Sequence, residues 1–423
     1  MNRKTLLQVA LLATSVFTAT TLYAQVTIGA DQPPVQGALL DLKMDENGNS
    51  TRGLGLPRVK LVKLADNDIS KTIDGVAANA YPGDHTGMVV YHMASASDDV
   101  CKDPFIFPGV YVWDGGQWTS LNQSSPSGMN TMTDERDGET YLVGNFNNAG
   151  DWMLENLRYK GGLTISKTGD ADNAKTYFYP QPDAGTETNP DNIPTYSNRQ
   201  GLLYTWAAAT NGENTSTADQ GQALGTDPGT NEVEKSGPHG TSPNKYVQGI
   251  CPPGWHLPSD REWNDLEREI YGNSSAYSTI PSNSFSPVSW SATWEYGITS
   301  PNPAYGAWRP NMNATGDGHG TALKSTCVMD PNGTAGDPNG KSKPVTEGGF
   351  DLMLTGYAEK GKMNIYGSSE GSYGDSGNYW SSSSAADNTQ AWRRTFVHDR
   401  IGVLRGEVYK RWLLAVRCKK NKD

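Results

Sequence analysis

The sequence predicts an α+β fold that is mainly β. Short runs of β-prone residues are separated by turn residues along the whole chain, for example at 109–113 and 391–397. One segment carries a full helix signal, because Ser259 and Glu262 form a capping box ahead of an apolar stripe. Glycine (47) and proline (25) are abundant, while only 19% of the residues are charged. This composition favours short strands joined by long loops.

The first residues predict export. Arg3 and Lys4 precede an apolar run at 6–17, and small residues lead to a cleavage point before Gln25. The run is too short for a membrane span. We therefore expect a signal peptide at 1–24 and a secreted protein, located at the cell surface, at the outer membrane or outside the cell. The length of 423 residues predicts two domains after processing.

The charge balance argues against two classes of partner. The formal net charge is −11 and the isoelectric point is about 5.1. Nucleic acids and anionic membranes both attract basic surfaces, so neither is an expected partner. Twelve Trp and twenty Tyr residues supply large contact areas instead. A glycan or a surface protein is the partner that we expect.

The domain organisation follows from composition and turn signals. We expect a β-rich N-terminal module at 25–122, a polar linker at 123–130 and a second domain at 131–423. In the module, the Asp-Gly-Gly turn at 114–116 predicts a hairpin. The phrases VTIG, ALLDL, GLGLPR and GVYVWDGGQW resemble a module at the start of Bacteroidetes surface and fibre-type proteins. This resemblance implies attachment or homo- or hetero-assembly, and no catalysis.

Short elements alternate with long loops in the second domain. We expect a short helix at 201–209, stopped by Asn211 and Gly212, and a longer helix after Ser259. Strands are expected at 350–354, 379–381, 391–397, 402–405 and 413–418, and the alternation in the last one predicts a half-buried strand. Long surface loops are expected at 273–320 and 330–343.

The second domain resembles the Fibrobacter succinogenes major paralogous domain family. The matching phrases, in family order, are WM (152–153), ENL (155–157), GLLYTWAAA (201–209), CPPGWHLPS (251–259), EW (262–263), LKS (323–325), GGF (348–350), YWSS (379–382) and VRC (416–418). The resemblance implies a C-type lectin-like fold with short helices, a twisted antiparallel sheet, long loops on one face and neighbouring termini. The loops at 213–245 and 273–320 are longer than the family minimum.

Four cysteines in an exported chain are compatible with two disulfides, for which three pairings are possible. We favour Cys251–Cys418, which brackets the last third of the chain and suits neighbouring domain ends. Cys101 and Cys327 remain as a second pair or as free thiols. The Cys251–Cys418 bond would close a long loop, and closing such a loop stabilises a protein by about 4–5 kcal/mol in the chain-entropy description.

The residue patterns argue against catalysis. An oxidase of the formylglycine-generating type, the enzyme class that shares the implied fold, needs two thiols close together near the C-terminus to hold copper. Only Cys418 lies there, and it has a better structural partner in Cys251. The chain contains no HExxH, GxSxG or P-loop motif. His256, within the Trp-His-Leu-Pro phrase, is expected to be a packed, hydrogen-bonded residue. We expect no enzyme, no cofactor and no metal.

Two patterns imitate calcium sites. The phrases Gln-Pro-Asp (181–183) and Trp-Asn-Asp (263–265) have the order seen in calcium-dependent lectins. The second lies on the capped helix, where Trp263 belongs to the apolar stripe, so we interpret the match as coincidence. The repeated Asp-Pro-Asn-Gly at 330–333 and 337–340 offers oxygen ligands, but these dipeptides are also common in turns.

The late loops and strands offer a contact surface. Aromatic residues together with arginine are typical of binding interfaces. The candidate ligand-binding residues are Tyr373, Asp375, Asn378, Trp392, Arg394, Arg400, Tyr409 and Trp412. We expect Trp380 to be buried and about half of the other late tryptophans to be exposed. The first hypothesis is a recognition or adhesion protein; the alternatives are a structural subunit of a surface appendage and an enzyme of unknown type.

Overall fold

The computed structural model describes most of the chain from residue 26 onward. The described residues are 26–29, 31, 33, 35, 38, 40–45, 47, 49–64, 66–93, 101, 106, 108–121, 130–182, 185–212, 247–291, 294, 307–310, 314–329, 339–363, 373–385 and 389–422. The signal-peptide prediction, the linker at 123–129 and the loop at 213–245 lie outside them. Asp183 and most of the Asp-Pro-Asn-Gly repeat also lie outside.

The described strands are short and carry most of the regular structure. In chain order they are β1 (Val26–Gly29), β2 (Leu40–Lys43), β3 (Arg58–Val59), β4 (Val89–His92), β5 (Gly109–Trp113), β6 (Trp118–Ser120), β7 (Asn130–Thr133), β8 (Thr140–Asn145), β9 (Asp151–Met153), β10 (Thr164–Ile165), β11 (Thr176–Phe178), β12 (Leu203–Thr205), β13 (Trp255–His256), β14 (Ala307–Arg309), β15 (Ala358–Glu359), β16 (Lys362–Met363), β17 (Ser376–Ser384), β18 (Gln390–Val397), β19 (Val403–Tyr409), β20 (Trp412–Ala415) and β21 (Lys419–Lys420). The helices are α1 (Trp206–Ala209), α2 (Asp260–Gly272), α3 (Ser274–Tyr277) and α4 (His319–Leu323). The mainly β, α+β class is therefore confirmed.

The chain forms two compact units, Met1–Pro57 and Arg58–Asp423. The first unit contains the parallel pair β1–β2, in which Ile28 lies opposite Leu42. The second unit holds three sheets within the described residues. The domain limits at 122 and 131 stay a prediction.

A four-stranded sheet of order β3-β4-β5-β6 occupies the first part of the larger unit. The predicted hairpin at 114–116 joins β5 to β6, where one carboxylate oxygen of Asp114 accepts hydrogen bonds from the backbone N–H groups of Gly116 and Gln117. Val90, Tyr111, Trp113 and Trp118 cover one face of this sheet with a small core. The sheet therefore has its own hydrophobic support.

A sheet of order β13-β21-β9-β8-β7 brings together the two ends of the larger domain. Lys419 in β21 pairs with Trp152 in β9, and the N–H of Met153 donates to the carbonyl of Cys418. The disulfide Cys251–Cys418, with 5.9 Å between the Cα atoms, lies in the same region. This pairing confirms the favoured bond.

The remaining cysteines also form a bond, between Cys101 and Cys327. Cys101 packs against the core of the larger domain. The sequence left these two residues as a pair or as free thiols, and the structure selects the pair. Residues of the predicted N-terminal module are thus covalently joined to the major domain.

The largest sheet has the order β10-β11-β12-β20-β17-β18-β19-β14, with β15 and β16 attached beside β20. Most of its neighbouring strands are antiparallel, whereas β10 and β11, and β17 and β20, run parallel. Helix α2 packs against β17 and β18 through Trp263, Leu266 and Ile270, all fully buried. The capping box forms as predicted: Ser259 accepts from the N–H of Glu262, and the Glu262 carboxylate accepts from the N–H of Ser259.

Three predicted elements differ in the structure. The expected strand at 350–354 is absent because Asp351 adopts a positive φ of 51° and breaks the extended run; only Leu352 bridges to another residue. The expected helix at 201–209 starts as strand β12 and becomes helical only at Trp206, although Asn211 and Gly212 end it as predicted.

The last predicted strand is buried on both sides, so its half-buried prediction is wrong. Leu413 and Ala415 belong to one hydrophobic cluster, whereas Leu414, Val416 and Cys418 belong to a second. Strand β20 is a central strand between β12 and β17, and its two faces pack into these two different hydrophobic clusters. The alternation in sequence therefore separates two cores rather than a core from solvent.

Candidate recognition surface

A partly exposed aromatic patch forms at the hairpin that joins β19 to β20. We define the aromatic patch as Tyr357, Glu359, Tyr409, Arg411 and Trp412. Tyr409 ends β19 and Trp412 begins β20, so the two-residue turn between them holds both rings at one end of the sheet. Tyr409 is 39% exposed, which makes it one of the more exposed large apolar side chains of the described chain.

The rings of the aromatic patch support one another. Trp412 stacks on Tyr357 with 4.4 Å between ring centroids and 13° between planes. Tyr409 meets Trp412 edge-on at 6.2 Å, and the guanidinium of Arg411 lies 4.1 Å from the centre of the Tyr409 ring. These contacts fix the orientation of the exposed Tyr409 ring and of half-buried Trp412, so a ligand would meet a preorganised surface.

Opposite charges hold the arginine of the aromatic patch in place. Nε of Arg411 donates to Oε1 of Glu359 across 2.7 Å, and Asp172 approaches Arg411 to 3.8 Å. Lys360 also pairs with Asp172, at 3.1 Å. The hydrogen bond to Glu359, followed by the nearby carboxylate charges, raises the pKa of Arg411. Arg411 therefore offers a permanent positive charge beside aromatic surface.

Strand β15 contributes residues that the sequence did not single out. Glu359 in β15 lies opposite Trp412, and the turn that follows has Lys360 at φ 47° and Gly361 at φ 74°. Two consecutive positive φ angles are typical of the tight turn in a two-residue hairpin. The Lys-Gly pair at 360–361 between Glu359 and Lys362 was the available signal for this hairpin.

Four of the eight candidate residues are buried, which corrects their expected exposed position. Tyr373 donates its hydroxyl toward Gln200, and Asn378 accepts hydrogen bonds from Arg393 and Thr395. Trp392 lies under the guanidinium of Arg405, at 4.5 Å. Asn378 and Trp392 are interior because β17 and β18 run through the middle of the largest sheet, covered on one side by α2. Tyr373 precedes β17 and is buried by its contacts with Gln200.

Arg394 is the fourth buried candidate and the centre of an ionic cluster. Its guanidinium pairs with Asp260 and Glu267 of helix α2. Arg405 pairs with Asp260, and Arg309 donates to Glu267 across 2.5 Å. We refer to Asp260, Glu267, Arg309, His319, Arg394 and Arg405 as the ionic cluster. It joins α2 to β14, β18 and β19, and it is fully buried.

The ionic cluster shifts the protonation equilibria of its members. Burial alone would raise the pKa of Glu267, but Arg309, Arg394 and the contact with His319 outweigh it and hold that pKa at about 2. Burial lowers the pKa of His319, and the two arginines add to this effect despite the neighbouring Glu267. Glu267 is thus ionised and His319 neutral at neutral pH.

Asp375 and Arg400 lie at the opposite end of β19 from the aromatic patch. His398 and Arg400 lie in the turn that leads from β18 to β19, and Asp375, just before β17, pairs with His398 at 3.5 Å. Burial raises the pKa of Asp375. Six residue steps along β19 correspond to about 20 Å, so the structure does not bring these two residues together with Tyr409 and Trp412.

The described parts of the long loop at 273–320 meet the start of β19. Strand β14 pairs with it, and the N–H of Gly320 donates to the carbonyl of Ile401. Trp290 and Trp294 pack there at 5.0 Å between ring centroids, both half-buried. The described parts of this loop therefore contact the start of β19, but its aromatic rings mainly cover Tyr271 and His319.

The expectations for individual core residues are confirmed. Trp380 and Trp263 are fully buried, and Nε1 of Trp263 donates to the carbonyl of Trp380. His256 is packed and bonded, with Nδ1 2.8 Å from Asn421 and Nε2 3.0 Å from Glu262. The ring of Trp263 is buried on α2, as expected for a member of the apolar stripe.

Neither a metal cluster nor a membrane span is found in the part of the chain that the structure describes. Among these residues, no group of three or more His, Cys, Asp or Glu side chains could hold a metal ion. No described helix has the length and apolar character that crossing a membrane requires. Gln181 is buried and bonded to the backbone of Glu187.

The fold and this surface define a class: a disulfide-stapled, mainly β domain that presents an aromatic patch and follows a small β module. Comparison with known families refines it. Residues 147–420 match the Fibrobacter succinogenes major domain, and residues 27–134 match a phage tail like trimerisation region. The chain belongs to the Fibrobacter succinogenes major domain family. No curated protein and no solved structure matches the chain.

Proposed function

We propose that the protein is an exported subunit of a homotrimeric cell-surface appendage, and that it recognises a glycan or a surface protein through the aromatic patch. The observation that carries the proposal is the exposed ring of Tyr409 beside Arg411 and half-buried Trp412, which stacks on the buried ring of Tyr357. The family suggests a surface protein, and the trimerisation region fits an appendage and suggests homo-assembly.

The chemistry of the aromatic patch suits recognition. Tyr and Trp rings give a rigid apolar platform at low entropic cost, and arginine offers donors in a planar fork. Sugar rings carry apolar C–H faces and hydroxyl acceptors, so the two components of the patch match the two surfaces of a sugar. Glu359 and Asp172 are engaged by cations. We therefore propose that the protein acts by binding and not by catalysis.

A C-type lectin-like arrangement of 131–423 forms part of the proposal. The pairing of β21 with β9 supports it, because it places the two ends of the domain side by side. The Cys251–Cys418 bond and the single long helix packed on a mainly antiparallel sheet are also compatible with that fold. A solved structure whose connectivity departed from that fold would remove this part of the proposal.

Binding by the aromatic patch can be tested with matched variants. The mature protein is applied to an array of bacterial and host glycans and to extracts of surface proteins. Tyr409→Ala and Arg411→Ala should each weaken the ligand found with the unaltered protein by about tenfold, the effect of a typical interface anchor. Lys362→Ala, an exposed cation in neighbouring β16, is the control.

The possible results separate recognition from a purely structural role. A ligand lost in both patch variants and kept in the control supports recognition. A ligand that survives both substitutions overturns the assignment to this patch. Failure to find any glycan or protein ligand, together with a stable trimer, favours the second candidate, a structural subunit, which the match to a trimerisation region supports by itself.

A further inference from the structure

The four-stranded sheet β3-β4-β5-β6 has a second apolar face, opposite its core. Its inner face carries Val90, Tyr111, Trp113 and Trp118, all buried in the small core. Side chains of successive residues point to opposite faces of a sheet, so the residues between these belong to the other side. The small core leaves this other side of the sheet uncovered.

Strand register identifies the members of that side. Val89 lies opposite Val112, Tyr91 lies opposite Val110, and the N–H of Leu121 donates to the carbonyl of Val110. Residues that face each other across neighbouring strands project from the same face. The same face also carries two exposed polar residues at its margins, Arg58 opposite Tyr91 and Thr119 opposite Val112. We define the outer face as its six apolar side chains: Val89, Tyr91, Met93, Val110, Val112 and Leu121.

The outer face is open to solvent in the single chain. Tyr91 is 39% exposed, Met93 43% and Leu121 59%, whereas the three valines are half-buried. These six side chains belong to none of the hydrophobic clusters formed by the described residues. An antiparallel sheet that keeps one face in water normally places polar residues there. A contiguous apolar face of this kind marks a contact surface.

We propose that the outer faces of three copies of this chain pack against one another around a threefold axis and form the hydrophobic centre of the trimer. The inference rests on the homotrimer of the proposed function and adds the surface that closes it. The matched trimerisation region, 27–134, contains every residue of the outer face. A cyclic assembly places the same elements of each copy around one axis. Apolar faces can pack against identical apolar faces there, because the contact needs no opposite charge.

The sheet is a better platform for this contact than the parallel pair β1–β2. The inner core fixes the backbone of β4, β5 and β6, so the outer face is presented on a preformed surface. Strands β1 and β2 also expose apolar residues, among them Ile28 and Leu40, but form a pair of only two strands. They are the competing location for the trimer contact and provide the comparison in the experiment.

Solution mass of the full mature chain tests the inference. Tyr91→Asp and Leu121→Asp place a charge on the most exposed members of the outer face. The control is Tyr81→Asp, because Tyr81 is 41% exposed and lines a cavity with Trp113, on the inner-face side. Light scattering should give a trimer mass for the unaltered protein and the control, and a monomer mass for both outer-face variants at the same concentration.

The outcomes distinguish this inference from the proposed function. Persistent trimers in both outer-face variants overturn the inference and leave the homotrimer standing, and loss of trimers with Ile28→Asp alone moves the contact to β1–β2. A monomeric unaltered protein at every concentration overturns both. Leu121→Cys gives a second measurement without disruption: oxidation should link copies covalently, whereas Tyr81→Cys should yield no linked species.

Discussion

Arg394 of β18 donates its Nε hydrogen to Oε1 of Glu267 in α2 across 2.5 Å, inside the domain. The residues are 127 positions apart, and both are fully buried. Arg309 donates to the same carboxylate oxygen, and His319 lies 3.0 Å from the other. One glutamate thus ties the helix to two strands of the largest sheet and to α4, and it compensates cations that would otherwise be buried alone.

Replacing Glu267 with Gln should destabilise the protein by about 3–5 kcal/mol, because two buried guanidinium groups would lose a charge partner. Urea unfolding followed by tryptophan fluorescence measures the change in unfolding free energy. The control is Asp265→Asn on the same helix, where the pair with Arg261 at 3.5 Å is partly exposed and should contribute less than about 1 kcal/mol. Equal effects of the two substitutions would contradict the role given to Glu267.

The ionic cluster also predicts a loss of stability in acid, in two pH windows. His319 has a pKa lowered from 6.5, so the unfolded chain binds its proton first and stability falls as the pH drops below about 6.5. Glu267 has a pKa lowered from 4.5 to about 2, so a second loss occurs as the pH falls from about 4.5 toward 2. Both contributions are fully present at neutral pH.

Melting temperatures measured from pH 8 to pH 3 check these windows. His319→Gln keeps a nitrogen near Glu267 but cannot take up a proton, so the decrease that begins near pH 6.5 should become smaller. A profile for His319→Gln that parallels the unaltered protein through this range would show that His319 does not cause the first loss.

Removing the Cys251–Cys418 bond should cost about 4–5 kcal/mol in the chain-entropy description, because it closes a loop of 167 positions. Both cysteines are fully buried, so alanine is the suitable replacement and avoids burying a hydroxyl group. Denaturant unfolding of the double variant, with Cys101→Ala and Cys327→Ala as the matched pair, measures the loss. An effect below about 1 kcal/mol would show that native packing alone keeps the domain ends together.

The parts of the fold that sequence could predict depend on neighbouring residues. The capping box of Ser259 and Glu262 and the Asp114 turn each need side chains only two or three positions apart. The Cys251–Cys418 bond was also accessible, because the resemblance implied that the domain ends meet. These features carry their physical cause in the local sequence or in the family phrases.

The position of the contact surface depended on distant residues. Arg394 and Trp392 have the composition of a binding site, but Arg394 is interior because acids from α2 compensate its charge. Asp351 breaks a β-prone run through a φ of 51°, held where Arg199 pairs with it from 152 positions away. Tyr357 entered the aromatic patch only through the pairing of β15 with β20. Residue type alone did not separate exposed arginine and tryptophan from buried ones.

Substitution of Gly320, in the first turn of α4, tests whether the backbone there must lie in close contact with the residues that lead into β19. A Cβ added at Gly320 would clash with the carbonyl oxygen of Gly402, whereas one added at Gly272, the last residue of α2, would meet no atom within 4 Å. Gly320→Ala should therefore destabilise the protein by about 1–3 kcal/mol through overpacking. Gly272→Ala should be neutral or stabilise it by up to about 1 kcal/mol through helix propensity. Thermal and urea unfolding of the two variants measure the difference, and a Gly320→Ala protein as stable as the unaltered chain would mean that α4 and β19 lie farther apart than this packing requires.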